Sequence, residues 1–274
     1  MGKLMTNDEL GAEIRRLGPW HHDVEVTPGV RTGDPAWRSE PDPAFGTPSL
    51  IAPFVKLQET VADLFPEGLQ GRSFLDCACN AGGYLFAARQ LGAGHCFGFD
   101  VREHWIRQAH FLAQHLPADD IDAGVCVLAD VPGLGLKPYD VTLFSGILYH
   151  LPDPVAGLKI AAGLTKELII VNTATFPAKQ DGLMLNPESR TLLMSGVDGL
   201  AWYPTGETVV RQMLAWCGFP HARLRFDRLT QDKRGRLELW AARDVAVFDH
   251  YDRIRPPVEQ SRLRRLTGRL LGRR

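Results

Sequence analysis

From residue 73 onward the chain repeats one pattern: a short apolar run closes on turn residues, and an amphipathic stretch follows. βαβ units impose that alternation, because a strand covered on both faces is apolar throughout while its crossover helix is apolar on one side. Strands are expected at about 73–78, 95–100, 123–129, 139–146 and 167–172, with helices at 82–91, 102–116 and 153–163. Residues 206–217 read as a further helix stopped by Gly218, and 222–229 with 235–242 as a hairpin. The expected class is α/β, a doubly wound, mostly parallel seven-stranded sheet finished by an antiparallel hairpin.

Three segments stand apart from this rhythm. Residues 1–70 hold a helix over 7–17, then a loop with Pro at 19, 28, 35, 41, 43, 48 and 53, then a helix over about 53–65. So many prolines exclude central strands, and this extension is expected to cover a site. The regular domain spans 71–245, interrupted after its fifth strand by 175–204, a Pro-, Gly- and Asn-containing insertion with no clear strand. Residues 246–274 form the tail.

Composition narrows the chemistry. With 45% hydrophobic and 23% charged residues, the chain is neither disordered nor collagen-like. The five Cys are odd in number, lie in apolar runs and form no C-x-x-C pair, which argues against structural zinc and iron–sulfur chemistry. No N-terminal apolar leader and no membrane-length apolar run is visible, so the expected location is cytoplasmic. Net charge is −1, but residues 258–274 contribute +5 and the rest −6. The body therefore argues against nucleic acid as a bulk partner. The tail sets Leu263, Leu266 and Leu270 on one helical face among arginines, and could lie on an anionic membrane surface or remain a solvated terminus.

The strongest motif is Phe74-Leu75-Asp76-Cys77-Ala78-Cys79-Asn80-Ala81-Gly82-Gly83, a strand entering a small-residue loop and then a helix. Small residues let a ligand reach the backbone, and helix-start N–H groups attract polar ligand atoms. A dinucleotide site would want G-x-G-x-x-G straight after the strand; the first two of those glycines are absent, and Asp76, which ends the strand, would repel pyrophosphate. It suits a cationic ligand instead. Asp100 closes the second strand, where a carboxylate can accept two ribose hydroxyls, and Asp130 is placed at the end of the third. Any one of these could cap a helix or serve a turn. Three at successive strand ends match the ligand edge of an open sheet.

With Phe144-Ser145-Gly146-Ile147-Leu148-Tyr149-His150-Leu151, Leu17-Gly18-Pro19-Trp20-His21-His22 and Trp202-Tyr203-Pro204-Thr205, these residues resemble class I S-adenosylmethionine-dependent methyltransferases, a Rossmann-like fold. Within that class the chain is similar to the tRNA wobble-uridine carboxymethyltransferases over about residues 15–243. The resemblance implies S-adenosyl-L-methionine as cofactor, with Asp76, Cys77, Ala78, Asn80 and Gly82 at the methionine part. It implies Asp100 and Val101 at the ribose, Asp130 and Val131 at the adenine, and Ser145 and Tyr149 beside the sulfonium. Ala78 replaces the family's first motif glycine. His22 stands where carboxymethyl-transferring members carry a lysine, so ordinary methyl transfer is expected, while Arg236 matches another basic position of that subgroup.

His150 is the first candidate for a general base, His22 the second, with Tyr149 in the catalytic set. His150 could equally serve only its loop. Trp20, Tyr203 and Arg236 are the acceptor-side candidates. Asp140 and Asp153 alone flank the fourth strand, so no metal is expected. The leading expectation is O-methylation of a small-molecule or glycan hydroxyl. The alternatives are a tRNA-modifying methyl- or carboxymethyltransferase and a non-catalytic cofactor-binding partner.

Overall fold

A computed structural model describes residues 5–38, 50–229 and 234–255. The chain opens with α1 (Asn7–Leu17), then the small hairpin β1 (Glu25–Thr27) and β2 (Val30–Arg31), then α2 (Pro53–Leu64). The regular part runs β3 (Phe74–Cys77), α3 (Gly83–Gln90), β4 (Cys96–Asp100), α4 (Glu103–His115), β5 (Ile121–Val125), β6 (Tyr139–Ser145), α5 (Pro154–Gly163) and β7 (Thr165–Thr175). It ends with β8 (Leu183–Pro187), β9 (Leu200–Pro204), α6 (Glu207–Trp216), β10 (His221–Leu229), β11 (Gly235–Ala242) and α7 (Asp249–Ile254).

Seven strands form one sheet in the order β10-β11-β7-β6-β3-β4-β5. β11 alone runs against the others, pairing antiparallel with both β7 and β10. The chain leaves β3 toward β4 and β5, then returns to the other side of β3 with β6. The reversal opens a crevice between β3 and β6 at the carboxyl ends of the strands.

The sheet is buried on both faces, and alternate residues sort between them. Leu75, Phe144, Ile169, Val171 and Leu239 join α5 and α6 in one core, with Leu158, Val210 and Leu214. Phe74, Val141, Leu168, Ile170 and Trp240 join α2, α3 and α7 in the other, with Leu57, Leu85 and Tyr251. A third cluster attaches the extension: Leu10, Ile14, Trp20, Val26 and Val30 pack on Phe86 of α3 and Phe111 and Leu112 of α4. α1 starts with a capping box, Thr6 and Glu9 each satisfying the other's backbone N–H.

The expected class and strand number hold, with three differences of detail. The third strand is Ile121–Val125 and not 123–129, because the chain turns into a 3-10 segment at Leu128–Leu134. β5 is the sheet's edge, where one neighbour alone fixes the register. The 175–204 insertion does contain strands, since β8 and β9 pair antiparallel from Leu183↔Pro204 to Pro187↔Leu200. The fifth strand also runs on to Thr175, held over its whole length by β11. No described helix is long and apolar enough to cross a membrane. The amphipathic tail at 258–274 lies outside the described residues.

Gly98 in β4 sets the spacing between sheet and motif loop. A methyl group added there would stand 2.8 Å from both Cys79 Cβ and Leu85 Cδ1. We expect Gly98→Ala to destabilise the protein by about 1–3 kcal/mol, the range for overpacking, measured by urea unfolding.

Candidate functional site

The loop after β3 is held in an uncommon shape. Ala78 (φ 61°), Asn80 (φ 51°) and Gly82 (φ 72°) are all left-handed, a conformation that costs a non-glycine residue roughly 1–2 kcal/mol. Asp100 offsets that cost. Its Oδ2 accepts the Asn80 N–H at 3.0 Å and its Oδ1 the Arg102 N–H at 3.0 Å, while the Cys79 N–H donates to the Phe99 carbonyl at 2.9 Å. Burial pushes the Asp100 carboxyl upward, and these N–H groups work against that shift.

Beside the loop lies a cavity of about 1160 Å³ whose wall includes Asp76, Ala78, Asn80, Asp100, Val101 and Ser145. Asp76 is 2% exposed, and its Oδ2 has no hydrogen-bond partner among the described residues. Burial, and then the neighbouring Asp100 charge, hold its carboxyl well above the usual range. A buried carboxylate oxygen left without a partner on a cavity wall is what a cationic ligand would complete. Each Asp100 oxygen retains a second lone pair for a hydroxyl. These residues fit S-adenosylmethionine: Asp76 could complete a cationic end and Asp100 could accept ribose hydroxyls.

Tyr149 and His150 stand further along the same cavity, in the turn after β6. His150 Nδ1 lies 2.8 Å and 3.0 Å from the two Glu188 carboxylate oxygens. An ionised carboxylate only accepts, so Nδ1 is the donor in this pair, and in a neutral ring Nε2 would keep its lone pair; the Gly196 N–H lies 3.1 Å from the same Nδ1. The Gly196 N–H also reaches Glu188 Oε1, at 3.0 Å. The insertion thus rests on His150. Arg102 fastens it on the cofactor side, donating to the carbonyls of Leu192 at 2.9 Å and Ser195 at 2.8 Å. Arg236 reaches in from β11, its Nε donating to Asn172 Oδ1 at 2.6 Å and its Nη1 lying 3.4 Å from the Tyr149 hydroxyl.

His22 is in the cavity wall but in a different role. It is buried, and its Nδ1 accepts the Gly83 N–H at 3.2 Å, so the extension caps the first turn of α3. Burial, then His21 and Lys56, hold its pKa well below the ordinary value. The ring is neutral, and Nδ1 is occupied.

Other candidates lie apart from the cavity. Asp130 is exposed and Val131 is buried in the core, neither on the cavity wall; Cys126, Val127, Leu128 and Ala129 line it there instead. The shortened third strand is the physical reason. Cys77 points into the core, and burial pushes its thiol well up. Gly82 shapes the loop without lining the cavity. Trp20 is 5% exposed and donates to the Ile14 carbonyl at 2.7 Å, a core anchor of the extension. Tyr203 is buried behind Tyr149, the rings stacked at 5.4 Å. Glu188 gave no sequence signal, being an acid in an irregular stretch.

A family model described as a methyltransferase domain matches residues 69–192. A tRNA U34 carboxymethyltransferase of Campylobacter hominis is 27% identical over 217 residues, 77% of this chain and 66% of the relative. The same-named protein of Colwellia psychrerythraea is 26% identical over 215 residues, 76% of this chain and 56% of its own length. The matches thus span less than two thirds of these curated relatives. Among solved structures, the N-terminal domain of EvdMO1 with SAH bound superposes with a TM-score of 0.69 at 17% identity, covering 87% of this chain and 98% of that one. Magnesium protoporphyrin IX methyltransferase from Synechocystis PCC 6803 with bound SAH gives 0.51 at 22% identity, covering 70% and 83%. At these identities the structural likeness is one of fold.

Asp76→Asn separates stability from binding. Above its raised pKa the wild-type carboxylate is charged and unpaired, and below the unfolded-state value that penalty is absent. The substitution should stabilise the ligand-free protein by about 1–3 kcal/mol at neutral pH, a gain that shrinks as pH falls. SAH affinity should drop at least about tenfold. Thermal melts across pH and calorimetric titration check both.

Proposed function

We propose that this chain, a class I methyltransferase by its fold and its domain match, transfers the methyl group of S-adenosylmethionine to a hydroxyl of a small molecule or glycan. One observation carries the reading: a single cavity joins the unpartnered Asp76 carboxylate to the His150–Glu188 pair. The bound cofactor supplies an electrophilic methyl on a sulfonium. The chain's task is to hold acceptor and cofactor in line and keep water out, which removes orientational freedom.

A hydroxyl must also lose a proton. His150 Nε2 takes it, and Glu188 holds the ring in the tautomer that can accept, stabilising the imidazolium that forms. Tyr149 fixes one side of the base, its ring centroid 4.0 Å from that of His150. Residues 188–196, resting on His150, supply the cover that limits water.

The relatives' printed name supports a second reading, carboxymethyl or methyl transfer to tRNA. Arg236, on the cavity wall beside Tyr149, favours it as a cation that could meet a carboxylate. His22 weighs against it, being neutral and bound to the Gly83 N–H.

Calorimetry with SAH, followed by transfer of labelled methyl from S-adenosylmethionine to phenols, saccharides and unfractionated tRNA, tests the two readings together. We expect 1:1 SAH binding and label in a small acceptor. Absence of SAH binding would sink the enzyme reading, and label in tRNA alone would select the second. Glu188→Gln should lower kcat at least about tenfold, part of the 10²–10⁴ that a positioned base contributes, with SAH affinity unchanged.

A further inference from the structure

The cavity wall also carries cations. Lys56 of α2, Arg228 of β10 and Arg236 of β11 all stand on it. Arg228 and Arg236 are direct partners across the β10–β11 ladder, an arrangement of like charges that weakens a sheet. The neighbouring Arg225 is neutralised, by Glu59 at 3.2 Å and Asp63 at 3.0 Å. Among the described residues, no carboxylate forms an ion pair with Lys56, Arg228 or Arg236. Glu238 is nearby, but its two oxygens are taken by Asn172 Nδ2 at 2.8 Å and Trp240 Nε1 at 2.9 Å. Among the described residues, Glu238, and Glu59 in its pair with Arg225, are the carboxylates close to these three cations.

Two of the cations, Arg236 and Arg228, are held by contacts other than counter-charges. Arg236 is fixed by Asn172, and a methyl on Gly146 would lie 3.7 Å from its Nη2, so the guanidinium reaches across the end of β6. Arg228 lies over the Phe226 ring at 4.8 Å. Removal from water lowers the Lys56 pKa most, and then Arg236; Glu238 opposes, Arg228 lowers it further, and Glu59 opposes. Repulsion of this kind is relieved when an anion enters.

We propose that the acceptor carries an anionic group, a carboxylate or a phosphate ester, seated between Lys56, Arg228 and Arg236 while its hydroxyl faces His150. The assignment rests on the methyltransferase reading of the cavity. It gives the cavity two partners of opposite sign, a cationic cofactor at Asp76 and an anionic acceptor at the hairpin. Tyr149 lies between them, its hydroxyl next to Arg236 and its ring against His150. An acceptor gripped at its anion and blocked by Tyr149 presents one edge to the base.

Isothermal titration of inorganic phosphate, and separately of benzoate, into SAH-saturated full-length protein tests the site. We expect saturable 1:1 binding of at least one anion, weakened at least about tenfold by Lys56→Gln with Arg228→Gln and measurably by Arg228→Gln alone. SAH affinity of these variants should match the wild type, which shows that they fold. Preference for phosphate over benzoate would mark a phosphate ester, and the reverse a carboxylate. No anion binding, binding indifferent to the substitutions, or binding only without SAH would overturn the assignment; the last would put the anion in the cofactor's place. If tRNA displaced the bound anion at physiological salt, the site would belong to an RNA and the small acceptor would fall. Failure of SAH itself to bind would instead strike the function reading on which the assignment stands.

Discussion

The Asp100 carboxylate is the contact on which the site depends. It accepts one N–H from the motif loop and one from the residue that begins the approach to α4. Without those bonds, two non-glycine residues in left-handed conformations would relax, and the loop would close on the space it now leaves open. Through Arg102 the same carboxylate is one step from the insertion. A single buried acid thereby couples the loop on one side of the crevice to the cover on the other.

Charge is distributed along the cavity with the same economy. Asp76 is kept from water, and its Oδ2 has no partner among the described residues, which is costly to the folded protein. Arg228 and Arg236 face each other across a strand pair, with Lys56 of α2 near both. Both arrangements lower the stability of the folded chain.

Much of this was legible in the sequence. Apolar runs closing on Asp76 and Asp100 gave the sheet and its ligand edge, because strand burial on two faces leaves little choice of residue. Asp130 misled, since β5 at the edge of the sheet has only one neighbour to set where it ends. The β8–β9 pair was hidden because exposed residues such as Met184 and Leu185 alternate with no core to record the pattern. Glu188 could not be read at all: its meaning comes from His150, 38 positions away, and no periodicity links them. His22 was legible as a residue near the site, but its bond to Gly83 depends on how the extension folds back.

The reversed direction of β11 has an evolutionary consequence. The parallel strands bring their last residues to the crevice, whereas β11 brings its beginning, with Arg236 second in the strand. Residues 76–102, which hold the motif loop and Asp100, and the strand that carries Arg236 are therefore separate stretches of chain that share an edge without sharing a segment. Mutation and recombination in the hairpin can alter one wall of the cavity while the motif loop is inherited intact. A fold wired in this way can diversify its chemistry by rewriting one end of itself.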